Sequence, residues 1–205
     1  MNAFLRASQW IDRAHPEVTK RARLQQRSTW ADTVQASFEF VRDQIRHTGD
    51  AKDGPITCLA SDVLREQTGY CYAKAHLLVA LLRANDIPAG MVYQRLTIDG
   101  DAAPYCLHGL AAVQMANHRW YRLDPRGNRD GINARFAPPT ECLAFSHVLP
   151  GECLFPQVFA EPLEVIVDTL RQHHTWQDVM QHLPDVDPSQ WGEVVHSATT
   201  SIVCD

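Results

Sequence analysis

The chain has 205 residues, a hydrophobic fraction of 45%, a charged fraction of 21% and a formal net charge of −5. This composition excludes a disordered chain, and the mildly acidic balance carries no footprint of nucleic-acid binding. No apolar run reaches the roughly 18–20 residues of a membrane helix, and Arg6, Asp12 and Arg13 interrupt the N-terminal stretch that a signal peptide would keep apolar. The expectation is a cytoplasmic chain with no membrane or nucleic-acid partner; nothing in the residues speaks to oligomeric state.

In chain order, Val34, Phe38, Val41 and Ile45 recur at helical spacing and predict an amphipathic helix over residues 31–47. Residues 49–55 read as a loop, and a short helix is expected over 60–66. The strongest element runs from residue 70 or 71 to 84. Leu77, Leu78, Leu81 and Leu82 form an apolar band, and Val79 and Ala80 cover the other side, as in a central helix. Thr68 and Gly69 precede it, and Asn85 and Pro88 mark its end. Strands are expected over 91–98, 107–115 and 119–124, the last two forming a hairpin around Asn117 and His118. From Pro125 to Pro162 the chain reads as irregular. Helical stretches are expected over 164–172 and 176–182, although 162–168 also fits a strand, and the residues from Asp185 onward read as loosely held.

The six cysteines are Cys58, Cys71, Cys106, Cys142, Cys153 and Cys204, irregularly spaced and without a C-x-x-C pair. A disulfide framework is not expected. Five of them read as small buried hydrophobes. Cys71 stands apart because it opens the central helix. The first N–H groups of a helix lack partners within it, and with the macrodipole they favour negative charge. A thiol there ionises more readily, and the same N–H groups can hold an oxyanion.

His108 lies on the second predicted strand and Asp124 at the end of the third, 16 residues apart. Antiparallel pairing through a short turn brings the two within about two positions of directly opposite. An imidazole held by a carboxylate is fixed in one tautomer and suits the role of general base beside a thiol. The candidate catalytic residues are therefore Cys71, His108 and Asp124. Each also has a structural alternative: core cysteine, strand histidine and Asp-Pro turn.

The stretch Gly69-Tyr70-Cys71-Tyr72-Ala73-Lys74-Ala75 and the apolar helix after it, followed by Leu107-His108-Gly109-Leu110 and Trp120-Tyr121-Arg122-Leu123-Asp124-Pro125, resembles the transglutaminase-like superfamily with its papain-like core. Phe40 to Arg46 is similar to the helix that precedes that family's site. The resemblance spans about residues 30–126. It implies an α+β fold in which a central cysteine-bearing helix packs on an antiparallel β-sheet. The expected organisation is a single domain over 1–205, with its core at about 30–126 and a C-terminal extension over 127–205. Two departures are Leu110, where the family often has an aromatic residue, and Arg126, where it often has Thr after Asp-Pro.

The resemblance also implies a thiol-dependent acyl-transfer enzyme, a cysteine protease or amidase rather than a protein cross-linker, acting on a peptide or amide substrate without cofactor or metal. Gln67, four residues before Cys71, is a candidate oxyanion helper and equally a solvated helix-end residue. Lys74 is a candidate thiolate partner or a solvent-facing side chain. Other readings are a non-catalytic binding module on the same fold, a thiol acyltransferase with the same residue order, and a metal site of Cys71, His76, Cys106 and His108, whose spacings match no familiar zinc pattern. His173 and His174 read as part of a solvated helix face.

Overall fold

A computed structural model describes residues 2–100, 102–197 and 202–204. After a 3-10 turn at Ala3–Leu5, the elements are α1 (Pro16–Gln25), α2 (Trp30–Gln44), β1 (Arg46–His47), α3 (Thr48–Ala51), α4 (Ala60–Glu66), β2 (Thr68–Gly69), α5 (Cys71–Ala84), β3 (Ala89–Thr97), β4 (Tyr105–Gln114) and β5 (Trp120–Leu123). They continue with β6 (Arg135–Ala137), β7 (Thr140–Cys142), β8 (Cys153–Leu154), β9 (Gln157–Phe159), α6 (Glu164–Gln172), α7 (Trp176–Gln181), α8 (Trp191–Ser197) and β10 (Ile202–Cys204).

The main sheet has strand order β10-β9-β3-β4-β5, with β8 also paired to β3, and every pairing is antiparallel. The fold is α+β, with α5 laid against β3 and β4. Thirteen of the fourteen residues of α5 are buried, which is why its apolar pattern runs nearly all the way round. One face of the sheet packs Leu107, Ala111 and Val113 into the core with Leu77, Leu78 and Leu81. The opposite face gathers Val92, Leu110, Ala112, Trp120 and Val158 under Phe4. Leu110 thus fills an apolar layer where the family often has an aromatic residue.

Two glycines let the layers touch. A Cβ on Gly109 would lie 2.9 Å from Tyr72 Cδ1 and 3.0 Å from Tyr72 Cα, so β4 approaches the start of α5 more closely than a side chain would permit. A Cβ on Gly90 would lie 2.7 Å from the Phe159 carbonyl oxygen.

Four sequence expectations are corrected. The helix expected over 31–47 ends at Gln44, because Ile45 turns extended and residues 46–47 pair in parallel with Thr68 and Gly69. The loop expected over 49–55 begins as the single turn α3. The region 125–162 contains β6 to β9, and residue 164 opens a helix, which resolves the ambiguity at 162–168. The segment from Asp185 is anchored. The Asp185 carboxylate accepts two 2.7 Å hydrogen bonds from Arg95, Trp191 stacks on Phe155 at 3.5 Å between ring centres, and β10 extends the sheet along β9.

Of the five cysteines read as buried, Cys58 is buried, while Cys106, Cys142 and Cys153 are half-buried with free thiols. Those three lie on strands at the margins of the core. The side chain of Cys204 lies outside the described set.

Candidate active site

Tyr70 caps α5 with extended backbone, so Cys71 is the first residue of the helix, the end at which N–H groups lack partners within the helix and the macrodipole favours negative charge. Cys71 lines a cleft of about 400 Å³ shared with His47, Asp50, His108, Arg126 and Phe145. A larger hollow of about 930 Å³ around Trp10 and Glu164 holds no cysteine among the described residues.

The β4–β5 ladder ends where Ala111 faces Leu123. Asp124 therefore falls on the diagonal from His108, a separation a histidine side chain spans. His108 Nε2 lies 2.8 Å from Asp124 Oδ2. The carboxylate is fully buried and accepts two backbone N–H groups as well, from Ala144 at 3.0 Å and Arg126 at 3.2 Å. Phe145 meets the His108 ring edge-on at 5.1 Å. With Nε2 committed to Asp124, Nδ1 is the nitrogen left for the Cys71 sulfur.

The electrostatics follow from these contacts. Burial opposes ionisation of Cys71, yet the charge and hydrogen bond of His108, with a second hydrogen bond from His47, bring its pKa down to about 6. Burial alone would discharge His108, but Asp124 and the Cys71 thiolate raise it to about 10. Asp124, despite its burial, is held below the usual carboxylate range by His108 and the two N–H donors. Burial pushes Cys58 and Cys106 the other way, up to about 12. Cys71 is thus poised as a thiolate beside an imidazolium, the state in which a cysteine attacks a carbonyl.

Other residues weighed in the sequence fall elsewhere. Gln67 has a left-handed backbone and folds its amide back onto the Leu64 carbonyl, exposed and away from the cleft. Lys74 reaches neither solvent nor the sulfur. It is fully buried, with Nζ donating to the Ile45 carbonyl and, at 3.3 Å, to the Arg42 carbonyl. Burial, helped by Arg126, lowers its pKa to about 7. His76 turns Nδ1 to the Cys58 carbonyl at 2.8 Å and does not line the cleft, whereas Cys106 does. His173 stacks on His182.

Three contributors escaped the sequence reading. His47 sits where a helix end was expected. Phe145 lies in a stretch without periodicity. Arg126, noted only as a departure, forks onto Asp50 through two 2.7 Å hydrogen bonds. The C-terminal region also builds the cleft, through Ser146, Glu152, Met180 and Leu183.

The transglutaminase-like superfamily profile matches residues 17–125, just over half of the chain and the part that carries His47, Cys71, His108 and Asp124. The chain belongs to the transglutaminase-like superfamily. Among solved structures, the chain of this superfamily resembles "a Putative Cysteine Protease from Cytophaga hutchinsonii", at 21% identity and a TM-score of 0.47 over 60% of this chain and 40% of that one. It also resembles the periplasmic domain of TgpA from Pseudomonas aeruginosa, at 20% identity and a TM-score of 0.44 over 60% and 45% of the two chains. The matches thus cover less than half the length of those structures. No curated protein matches the chain. None of the described helices is long and apolar enough to cross a membrane.

Proposed function

We propose that this superfamily member is a cysteine hydrolase, a protease or amidase that cleaves a peptide or carboxamide bond through a thioester on Cys71. The observation that carries the reading is the 2.8 Å His108–Asp124 hydrogen bond beside a cysteine at a helix start. In this reading the Cys71 thiolate adds to the carbonyl carbon and the carbonyl electron pair moves onto oxygen, facing the N–H groups that open α5. His108 gives its proton to the leaving nitrogen as the C–N bond breaks. Water then adds to the thioester carbonyl and gives its proton to His108, and the C–S bond breaks to free the acid and restore the Cys71 thiolate. The cleft volume suits one or two side chains of an extended substrate. The five free thiols among the described residues fit a cytoplasmic setting.

The test is to incubate the protein with a panel of peptide amides, follow amine release, and search for an acyl adduct on Cys71 by mass spectrometry of quenched reactions. Amine release with an adduct at Cys71, absent in Cys71→Ala, is expected. Release without dependence on Cys71 would overturn the reading.

A further inference from the structure

We infer that His47 is a second catalytic imidazole, whose Nε2–H donates to the oxyanion formed at Cys71; the inference rests on the proposed acyl chemistry and assigns a donor within it. Parallel pairing of β1 with β2 sets His47 opposite Gly69, two residues before the nucleophile. His47 and Cys71 line the same cleft, and His47 is among the groups that favour the Cys71 thiolate.

The bonded nitrogen of the ring identifies the one left to donate. Nδ1 accepts the backbone N–H of Asp50 at 3.2 Å, so Nε2 carries the hydrogen in the neutral ring. Protonation would add a proton at Nδ1, where Asp50 Oδ1 lies 3.6 Å away, and would leave Nε2–H in place. Nε2 is therefore a donor in either state.

The ring is held on several sides. Tyr70 meets it edge-on at 5.6 Å. Gly49 admits the tight loop, since a Cβ there would lie 3.1 Å from the Tyr70 ring and 3.2 Å from His47 Cε1. Thr48 and Thr68 hydroxyls bond at 3.0 Å in the interior just behind. The loop is then tied to the triad itself. Asp50 accepts the fork of Arg126, and the Arg126 backbone N–H donates to Asp124. Partial burial opposes it, but His47 and Arg126 hold the Asp50 carboxyl well below the usual range. Arg126, where the sequence departs from the family pattern, is thus a positioning residue for His47.

During attack, the S–C bond forms as the carbonyl π pair moves to oxygen. The oxyanion accepts hydrogen bonds from His47 Nε2–H and from the N–H groups opening α5. His47 keeps its proton throughout, because His108 supplies the one that leaves with the amine. His47 has a share in the low pKa of Cys71, which both acylation and alkylation use, but its contact with the oxyanion speeds only the reaction that forms one.

Two probes separate these roles. Acylation by p-nitrophenyl acetate passes through an oxyanion, whereas alkylation by iodoacetamide does not. In His47→Phe, acylation of Cys71 should slow by about 10²-fold, the scale for one lost oxyanion donor, while alkylation changes by less than about tenfold. His47→Gln, which retains an N–H donor, should recover most of the acylation rate. Arg126→Met should slow acylation of the native protein yet add nothing in the His47→Phe background, as expected for residues acting as a unit. Equal losses in both reactions, or none in either, would overturn the assignment. A wild-type protein that neither probe modifies at Cys71 would instead overturn the acyl-transfer reading beneath it.

Discussion

His108 Nε2 contacts Asp124 Oδ2 at 2.8 Å across the end of the β4–β5 ladder, and this fixes which face of the imidazole is presented to Cys71. In the proposed mechanism the carboxylate orients and charges the ring without taking part in bond making.

Loss of the three residues should therefore be unequal. Cys71→Ala and His108→Ala are expected to abolish turnover, each by about 10⁶-fold, and Asp124→Asn to cost about 10⁴-fold, on the scale of other triads. Steady-state kinetics on any amide substrate from the panel checks this. Equal and small effects would contradict the assigned roles.

Gly109→Ala places a methyl 2.9–3.0 Å from Tyr72 side-chain and backbone atoms. Backbone cannot yield as a flexible side chain can, so α5 and β4 must separate. Thermal and denaturant melts should show a loss of about 1–3 kcal/mol, and the Cys71–His108 pair should weaken, seen as slower thiol labelling at pH 7.

Lys74→Met keeps the buried volume but leaves the Arg42 and Ile45 carbonyls without their donor. The expected cost is about 1–3 kcal/mol in a urea melt. Because Lys74 fixes the turn leading to His47, the same variant should slow acylation of Cys71 more than alkylation.

Trp191→Ala removes a ring stacked on Phe155 and a 2.7 Å hydrogen bond to Gln157. The loss should be about 3–5 kcal/mol. A loss under about 0.5 kcal/mol would mean the C-terminal segment is loosely held after all.

What was legible in the sequence follows from periodicity. The α5 pattern needed no tertiary partner to be read, and its start at Cys71 and end at Ala84 came from local signals. The β4–β5 hairpin was readable because its turn lies midway between His108 and Asp124. His47 was not, because β1 and β2 are two residues long and carry no alternation; only their mutual pairing turns the chain at Ile45. The hold on the C-terminal segment was hidden for a related reason. Arg95 with Asp185, and Phe155 with Trp191, are far apart in sequence and meet only once the sheet forms. Lys74 was misjudged because its partners are backbone carbonyls, which no side-chain pattern announces.

The most direct test of the thiolate–imidazolium pair is the pH dependence of iodoacetamide labelling, with the modified cysteine located by mass spectrometry. The depressed pKa of Cys71 means the thiolate is lost as pH falls through about 6, and the raised pKa of His108 means the imidazolium persists until about 10. Labelling of Cys71 should rise with a midpoint near 6, and His108→Ala should move that midpoint up toward an ordinary thiol at about 8.5. A wild-type midpoint already at about 8.5, unmoved by His108→Ala, would contradict the account.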